Sequence, residues 1–417
     1  MSTLIKNVLA SESGDTGQNN KIFSVLITIF GMIFLEFLIM GISLGVLPNY
    51  VHGSLGFNNL VVGVVIGLQY AATLCTRHFA GKMADSKGGR QAVITGILIS
   101  SVSGIFCLFS QFLMAMPVAS LSALIVGRIL LGIGESYLVI GVFAWGFILV
   151  GPKNTGKVMV WNGMGMYGGM ACGAPLGIFL QTQWSITTAF AALALLPAIS
   201  FLAMLMLPVV QLPKQLARLP FYKAVNLVWK SGTGLAFASI GFAGIASFIT
   251  LFFIQQSWQG ASFAITAFGA GYVVVRIFFA GFPDKFGGAR VAMVSLLIEI
   301  AGQLLIWSAT SAVMGIVGAG LTGIGMSLVF PSFGTIAVKR VSAENRGMAM
   351  AAYNAFFDLG MGLTAPIAGL IAGQGHYSNI YMLGAVTAAT SALLAYLEYK
   401  KDKTVYKNKN EAIIETI

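Results

Sequence analysis

Long apolar stretches separated by short polar breaks run from residue 22 to residue 397. A membrane-spanning helix needs about 20 mostly apolar residues, because each residue advances ~1.5 Å through a hydrocarbon layer ~30 Å thick. The pattern predicts twelve spans, at 22–48, 59–80, 91–114, 119–149, 157–181, 185–209, 233–257, 262–282, 289–309, 311–336, 346–372 and 377–397. Residues 1–21 and 398–417 read as polar tails, the first without regular structure. It shows no apolar core ahead of a small-residue cleavage site, so no cleaved leader is expected. The longest internal polar segment, 210–232, is rich in Pro, Lys and Arg. It reads as a linker between a first bundle at 22–209 and a second at 233–397.

Composition supports this reading. Hydrophobic residues make up 57% of the chain and charged ones 9%, with a mean hydropathy of +0.87. A soluble domain needs about 25% charged residues to cover its surface, so the chain is read as a polytopic all-α membrane protein. The 51 glycines suit close helix packing in lipid. Cys75, Cys107 and Cys172 lie in apolar segments without ligand spacing, so neither a disulfide framework nor a metal site is expected.

The formal charge of +11 raises the question of a nucleic-acid partner, and the placement of the charges argues against one. Lys82, Lys87 and Arg90, then Lys153, then Lys214, Arg218, Lys223 and Lys230, then Lys285, then Lys339 and Arg340 fall in alternate loops. The loops near 50–58, 115–118, 182–184, 258–261, 310 and 373–376 carry no Lys or Arg. Positive charge marks the cytoplasmic side. Both termini are therefore expected in the cytoplasm, with the basic face against anionic lipid.

The halves echo each other. Arg77, Asp85 and Gly88-Gly89 recur as Arg276, Asp284 and Gly287-Gly288, 199 residues later. The run Gly127-Arg128 to Glu135-Ser136 recurs as Gly318-Ala319 to Met326-Ser327 at an offset of 191, and Gly156 with Gly173-Ala174-Pro175 recurs as Gly347 with Thr364-Ala365-Pro366 at the same offset. Repeats of six spans in one orientation imply a pseudo-two-fold axis along the membrane normal, with a substrate site between the halves.

These motifs resemble those of the major facilitator superfamily across essentially the whole chain. Gly81-x-x-x-Asp85-x-x-Gly88-Gly89-Arg90 is similar to its loop 2–3 signature, although Ser86 stands where a basic residue is usual. Leu124 to Gly134, containing Arg128, resembles the fourth-helix motif linked to proton coupling. Gly169-x-x-x-Gly173-Ala174-Pro175-Leu176-Gly177 resembles the fifth-helix motif of drug:proton antiporters, with Ala174 at a usual Pro position. Gly156 to Gly163 and Gly127 to Ser136 look like the bacterial subgroup related to arabinose-efflux permeases. The resemblance implies twelve transmembrane helices in two six-helix pseudo-symmetric bundles.

An ionisable side chain at mid-membrane costs about 2.5–3.5 kcal/mol on insertion scales and usually faces a cavity or a partner. Glu36, Glu135, Glu299 and Asp358 meet that description. Glu36, in Phe34-Leu35-Glu36-Phe37-Leu38, reads as a proton carrier or as a carboxyl bonded for packing. Arg128 and Glu135 are seven residues apart on one helix face, about 10.5 Å along the axis and too far for an easy ion pair. Arg128 is expected to bind an anionic substrate group, or to pair with Glu36 once that acid is deprotonated, with a structural ion pair as the alternative. The resemblance implies that the helix of Asp358 lines the cavity, so Asp358 is expected either to face a cation there or to serve packing, and Glu299 to hydrogen-bond locally. Arg77, Asp85, Gly88, Gly89 and Arg90, with Arg276, Asp284, Gly287 and Gly288, are read as a gate on the cytoplasmic side. Gly169, Gly173, Pro175 and Gly177 read as a bending motif in helix five or as plain packing.

No Gly-rich run ends in Gly-Lys-Ser/Thr, and no nucleophile, base and oxyanion grouping stands out, so neither an enzyme nor a cofactor is expected. The expectation is a monomeric secondary transporter of the bacterial inner membrane, exporting a small zwitterionic or amphiphilic compound against proton influx. Proton-coupled import uses the same residues. A receptor that binds without transport is the alternative of another class.

Overall fold

The computed structural model describes residues 2–151, 154–209, 220–338, 346–373 and 375–414, with side-chain surroundings from residue 20 to residue 401 apart from positions 85, 155, 156, 338, 346 and 347. Thirteen helices follow in order: α1 (Ser2–Asn49), α2 (Asn59–Ser86), α3 (Gly89–Phe112), α4 (Pro117–Val150), α5 (Thr155–Gln183), α6 (Ile186–Leu205), α7 (Phe221–Gln255), α8 (Ala261–Phe279), α9 (Phe282–Phe286), α10 (Gly288–Trp307), α11 (Ala312–Val338), α12 (Arg346–Ala372) and α13 (Ser378–Ile414). No strand occurs among the described residues.

Local chemistry explains several boundaries. Asn58 caps α2 by accepting the Val61 N–H at 3.0 Å, and Ser185 caps α6 by accepting that of Thr188 at 3.3 Å. Pro48, which lacks an N–H, precedes a single widened turn at Tyr50–Ser54 that ends α1. Gly88 and Gly287 begin α3 and α10 at φ of 98° and 89°, a region that favours glycine.

Among the described residues, eleven helices are long and apolar enough to cross a membrane. α5 is absent from that set because glycines at 163, 165, 168, 169, 173 and 177 dilute its hydropathy. Its place between α1 and α8 still makes it the fifth span. Three polar segments differ from expectation. The first tail is helical from Ser2, α7 starts at Phe221 directly after Pro220, and α13 continues to Ile414. Helix propagation is cheap once an apolar span has nucleated the helix, so hydrogen bonding outruns the hydrophobic segment. Residues 210–219 of the expected linker lie outside the described residues.

The duplication is visible in the packing. α1 lies against α5, α2 against α4, and α3 against α4 and α6. Their counterparts pair in the same way: α7 with α12, α8 with α11, and α10 with α11 and α13. Glycines permit the close approaches: a Cβ on Gly134 would collide with Ser100, and one on Gly325 with Ser295 and Glu299. The halves meet chiefly along two seams, α2 against α12 and α5 against α8, with α1 touching α7. A pseudo-two-fold axis exchanges these seams.

Candidate functional site

In the first half the buried carboxyls are held by uncharged donors. Ser100 on α3 donates its hydroxyl to Glu36 Oε1 at 2.7 Å. On α4, Glu135 Oε2 accepts from Gln69 Nε2 at 3.2 Å and from Thr73 Oγ1 at 3.5 Å. Both acids are buried. Arg128, fully buried one face along α4, has no hydrogen-bond partner on any of its three guanidinium nitrogens. It pairs with neither Glu36 nor Glu135, so the expected Glu36 partnership is absent from this state.

Arg77 and Asp358 join the halves. Arg77 Nε lies 2.8 Å from Asp358 Oδ2, and Nη2 lies 3.2 Å from Oδ1, a two-point ion pair across the α2/α12 seam. The side chains are only 6% and 2% exposed. A gate role for Arg77 and a cavity role for Asp358 were separate expectations, and here they are one contact. Arg77 sits nine residues inside the end of α2, about 13.5 Å deep, too far to snorkel to the interface.

The same seam is fastened at the end of the bundle opposite the termini. Asn59 Nδ2 donates to the Ala372 carbonyl at 3.1 Å and to the Tyr377 hydroxyl at 2.7 Å, while within the second half Gln255 on α7 donates to the Gly375 carbonyl in the turn after α12. Between these bonds and the ion pair, Gly63 and Gly67 let α2 lie on Gly362, Ala365 and Pro366. On the α5/α8 seam, Arg276 Nη2 donates to the Tyr272 hydroxyl at 2.9 Å and its guanidinium lies over Gly163.

The loop motifs are built as turns. Gly89 packs on Gly141 and Trp145 of α4, and Gly288 packs on Ser332 of α11. Arg90 Nε is buried without a partner. Asp284 is exposed on the short α9, with no hydrogen bond or ion pair among the described residues. The Asp85 side chain lies outside the described residues. Gly169, Gly173 and Gly177 press on the α1 backbone at Phe34, Leu38 and Ile42, with Pro175 inside the helix. This is close packing of α5 on α1. Glu299, expected to bond locally, is fully buried against Gly241 of α7 with both oxygens unpartnered. The amide of Gln303, one turn on and also against Gly241, donates instead to the Thr322 hydroxyl at 3.3 Å.

Sequence reasoning missed Gln69, Thr73, Ser100 and Asn59. Gln69, Thr73 and Arg77 recur every four residues, a polar stripe on one face of an otherwise apolar helix. That periodicity was a usable signal for three of the site's side chains. Ser100 and Asn59 carry no comparable pattern.

The chain matches the Major Facilitator Superfamily profile over residues 29–260 and 231–414. It is 42% identical over 377 residues to an uncharacterised MFS-type transporter of Salmonella typhimurium, covering 90% of this chain and 97% of the relative. It is 40% identical over 364 residues to the uncharacterised MFS-type transporter YhhS of Escherichia coli, covering 87% and 89%. The fold resembles crystal structures of the human organic anion transporter MFSD10 (TM-score 0.67, 14% identity, 90% of this chain and 99% of that one) and of the nucleoside transporter NupG (TM-score 0.68, 15% identity, 89% and 99%). The chain belongs to the Major Facilitator Superfamily: it is a multi-pass membrane protein and a secondary transporter, not an enzyme.

Proposed function

We propose that the protein exports a small organic compound in exchange for protons by alternating access, from the bacterial inner membrane with both termini in the cytoplasm. The observation that carries the reading is Glu36, a membrane-buried carboxyl whose bond is to the Ser100 hydroxyl and not to a cation. Such a group can carry a proton between two accessible states without breaking an ion pair. Glu135, bonded by Gln69 and Thr73, sits in the same half and adds a second proton-carrying group. Arg128 is the unpaired charge that tunes them. The second half has Ala319 and Met326 at the matching positions, which supports coupling in the first half.

The Asn59 bonds support a state in which the seam is closed at the end opposite the termini, with the Arg77–Asp358 pair tying it further along toward the termini. The basic loops support a cytoplasmic placement of the other end. The resemblance of α5 to antiporter helices favours export. Import by proton symport is the second reading, favoured by nothing specific but using the same residues. The substrate is zwitterionic or amphiphilic, because the halves hold both signs of charge. A proton driven by roughly 150 mV supports about a 300-fold gradient, at ~2.3 kcal/mol per 100 mV and ~1.4 kcal/mol per decade.

The test has two parts. Accumulation of candidate compounds is compared in cells with and without the gene, and substrate-evoked pH change is recorded in proteoliposomes. Lower accumulation with the gene, together with proton movement opposite to substrate, supports export. Co-directional movement overturns it, and the absence of any proton movement overturns the coupling.

A further inference from the structure

The two seams are related by the repeat, yet their chemistry differs at one position. Arg77 on α2 corresponds to Arg276 on α8, 199 residues on. Asp358 on α12 corresponds to Tyr167 on α5, 191 residues back. Where the repeat gives Arg77 a carboxylate it gives Arg276 a phenol, and the hydroxyl that Arg276 reaches is that of Tyr272. Arg276 is 5% exposed, its Nε is buried without a hydrogen-bond partner, and Tyr272 supplies its one hydrogen bond. Among the described residues no acid pairs with Arg276. A buried guanidinium lacking a counter-charge is costly, and an arriving oxyanion relieves that cost.

What surrounds this cation limits the rest of the ligand. Tyr167 and Tyr272 stack at 3.6 Å between ring centroids, bridging the halves. Phe242 and Phe268 stack at 4.5 Å beside them, and Tyr167 touches both rings. An aromatic wall next to one unpaired guanidinium fits a ligand with an oxyanion head and a flat apolar body. We propose that Arg276, with Tyr167 and Tyr272, forms a substrate subsite for an aromatic or otherwise apolar carboxylate. In that subsite the ligand's carboxylate takes the place that Asp358 occupies opposite Arg77. The inference deepens the export reading by naming the substrate class, and it rests on that reading for the ligand's passage between the halves.

The test is equilibrium binding to the purified full-length protein, with no gradient present. The probe is radiolabelled 3-phenylpropionate, competed by its unlabelled form, its amide and the corresponding amine. The expected result is saturable binding of the carboxylate, with amide and amine at least tenfold weaker. Arg276→Gln should weaken carboxylate binding at least tenfold, and Arg276→Lys less so. Tyr167→Asp is the decisive variant. It supplies the carboxylate that the other seam already has, so it should fold with an unchanged elution profile and melting temperature yet lose the probe. Equal affinity for carboxylate and amide overturns the proposal. So does carboxylate binding unaffected in both Arg276→Gln and Tyr167→Asp, or no saturable binding to the native protein. Selective binding without transport in liposomes leaves the subsite standing and sinks the export reading.

Discussion

Replacing Asp358 by Asn tests how the seam is held. The substitution keeps the shape of the side chain and leaves Arg77 buried beside a neutral amide. Breaking a buried pair by removing one partner costs about 3–5 kcal/mol. That cost falls only on the state in which the seam is closed, because an open seam lets water reach the guanidinium. The equilibrium should therefore shift toward opening by roughly 150- to 5,000-fold, at RT of ~0.59 kcal/mol. The reporter is a cysteine at Ala365, which is fully buried beside Gly63, in a background with Cys75 and Cys172 changed to Ser. Its labelling by a membrane-impermeant maleimide should rise at least tenfold in Asp358→Asn. The double variant Arg77→Gln with Asp358→Asn removes both charges and should label more slowly than either single variant. A labelling rate unchanged by Asp358→Asn, or a double variant as fast as the singles, would refute the latch.

Three further outcomes follow from the same geometry. Asn59→Ala removes two bonds of about 0.5–1.5 kcal/mol each, so maleimide labelling at position 365 should rise about fivefold or more. Gly173→Leu forces a side chain into the α1 backbone near Leu38 and Gly41. Overpacking of this kind costs ~1–3 kcal/mol, so the melting temperature should fall, whereas Gly31, with open space around its Cβ position, should tolerate Ala without change. Arg128→Met replaces an unpartnered buried cation by an apolar chain of similar length. It should leave the melting temperature unchanged or raised while pH-driven transport is lost, and a lowered melting temperature would show that Arg128 is structural.

Much of the architecture was legible because hydropathy tracks the membrane directly. Each of the twelve expected spans corresponds to a helix, and the repeat offsets of 199 and 191 map onto matching helix pairs. The ends of α1, α7 and α13 were not legible, since hydropathy marks where lipid begins and not where backbone hydrogen bonding stops. Arg77 and Asp358 were each singled out, but their union required knowing that α2 packs on α12, a contact between residues 281 positions apart. Glu299 shows the opposite failure. A buried acid suggests bonds, while the neighbouring Gln303 amide is committed to Thr322.

The central claim is that Glu36 couples transport to protons. The direct measurement uses proteoliposomes with an identified substrate, comparing native protein with Glu36→Gln under an imposed pH gradient and then in substrate exchange without one. Glutamine keeps a hydrogen-bonding group beside Ser100 and removes the titration. The account predicts that pH-driven transport disappears in Glu36→Gln while exchange persists. Undiminished pH-driven transport in that variant would contradict it.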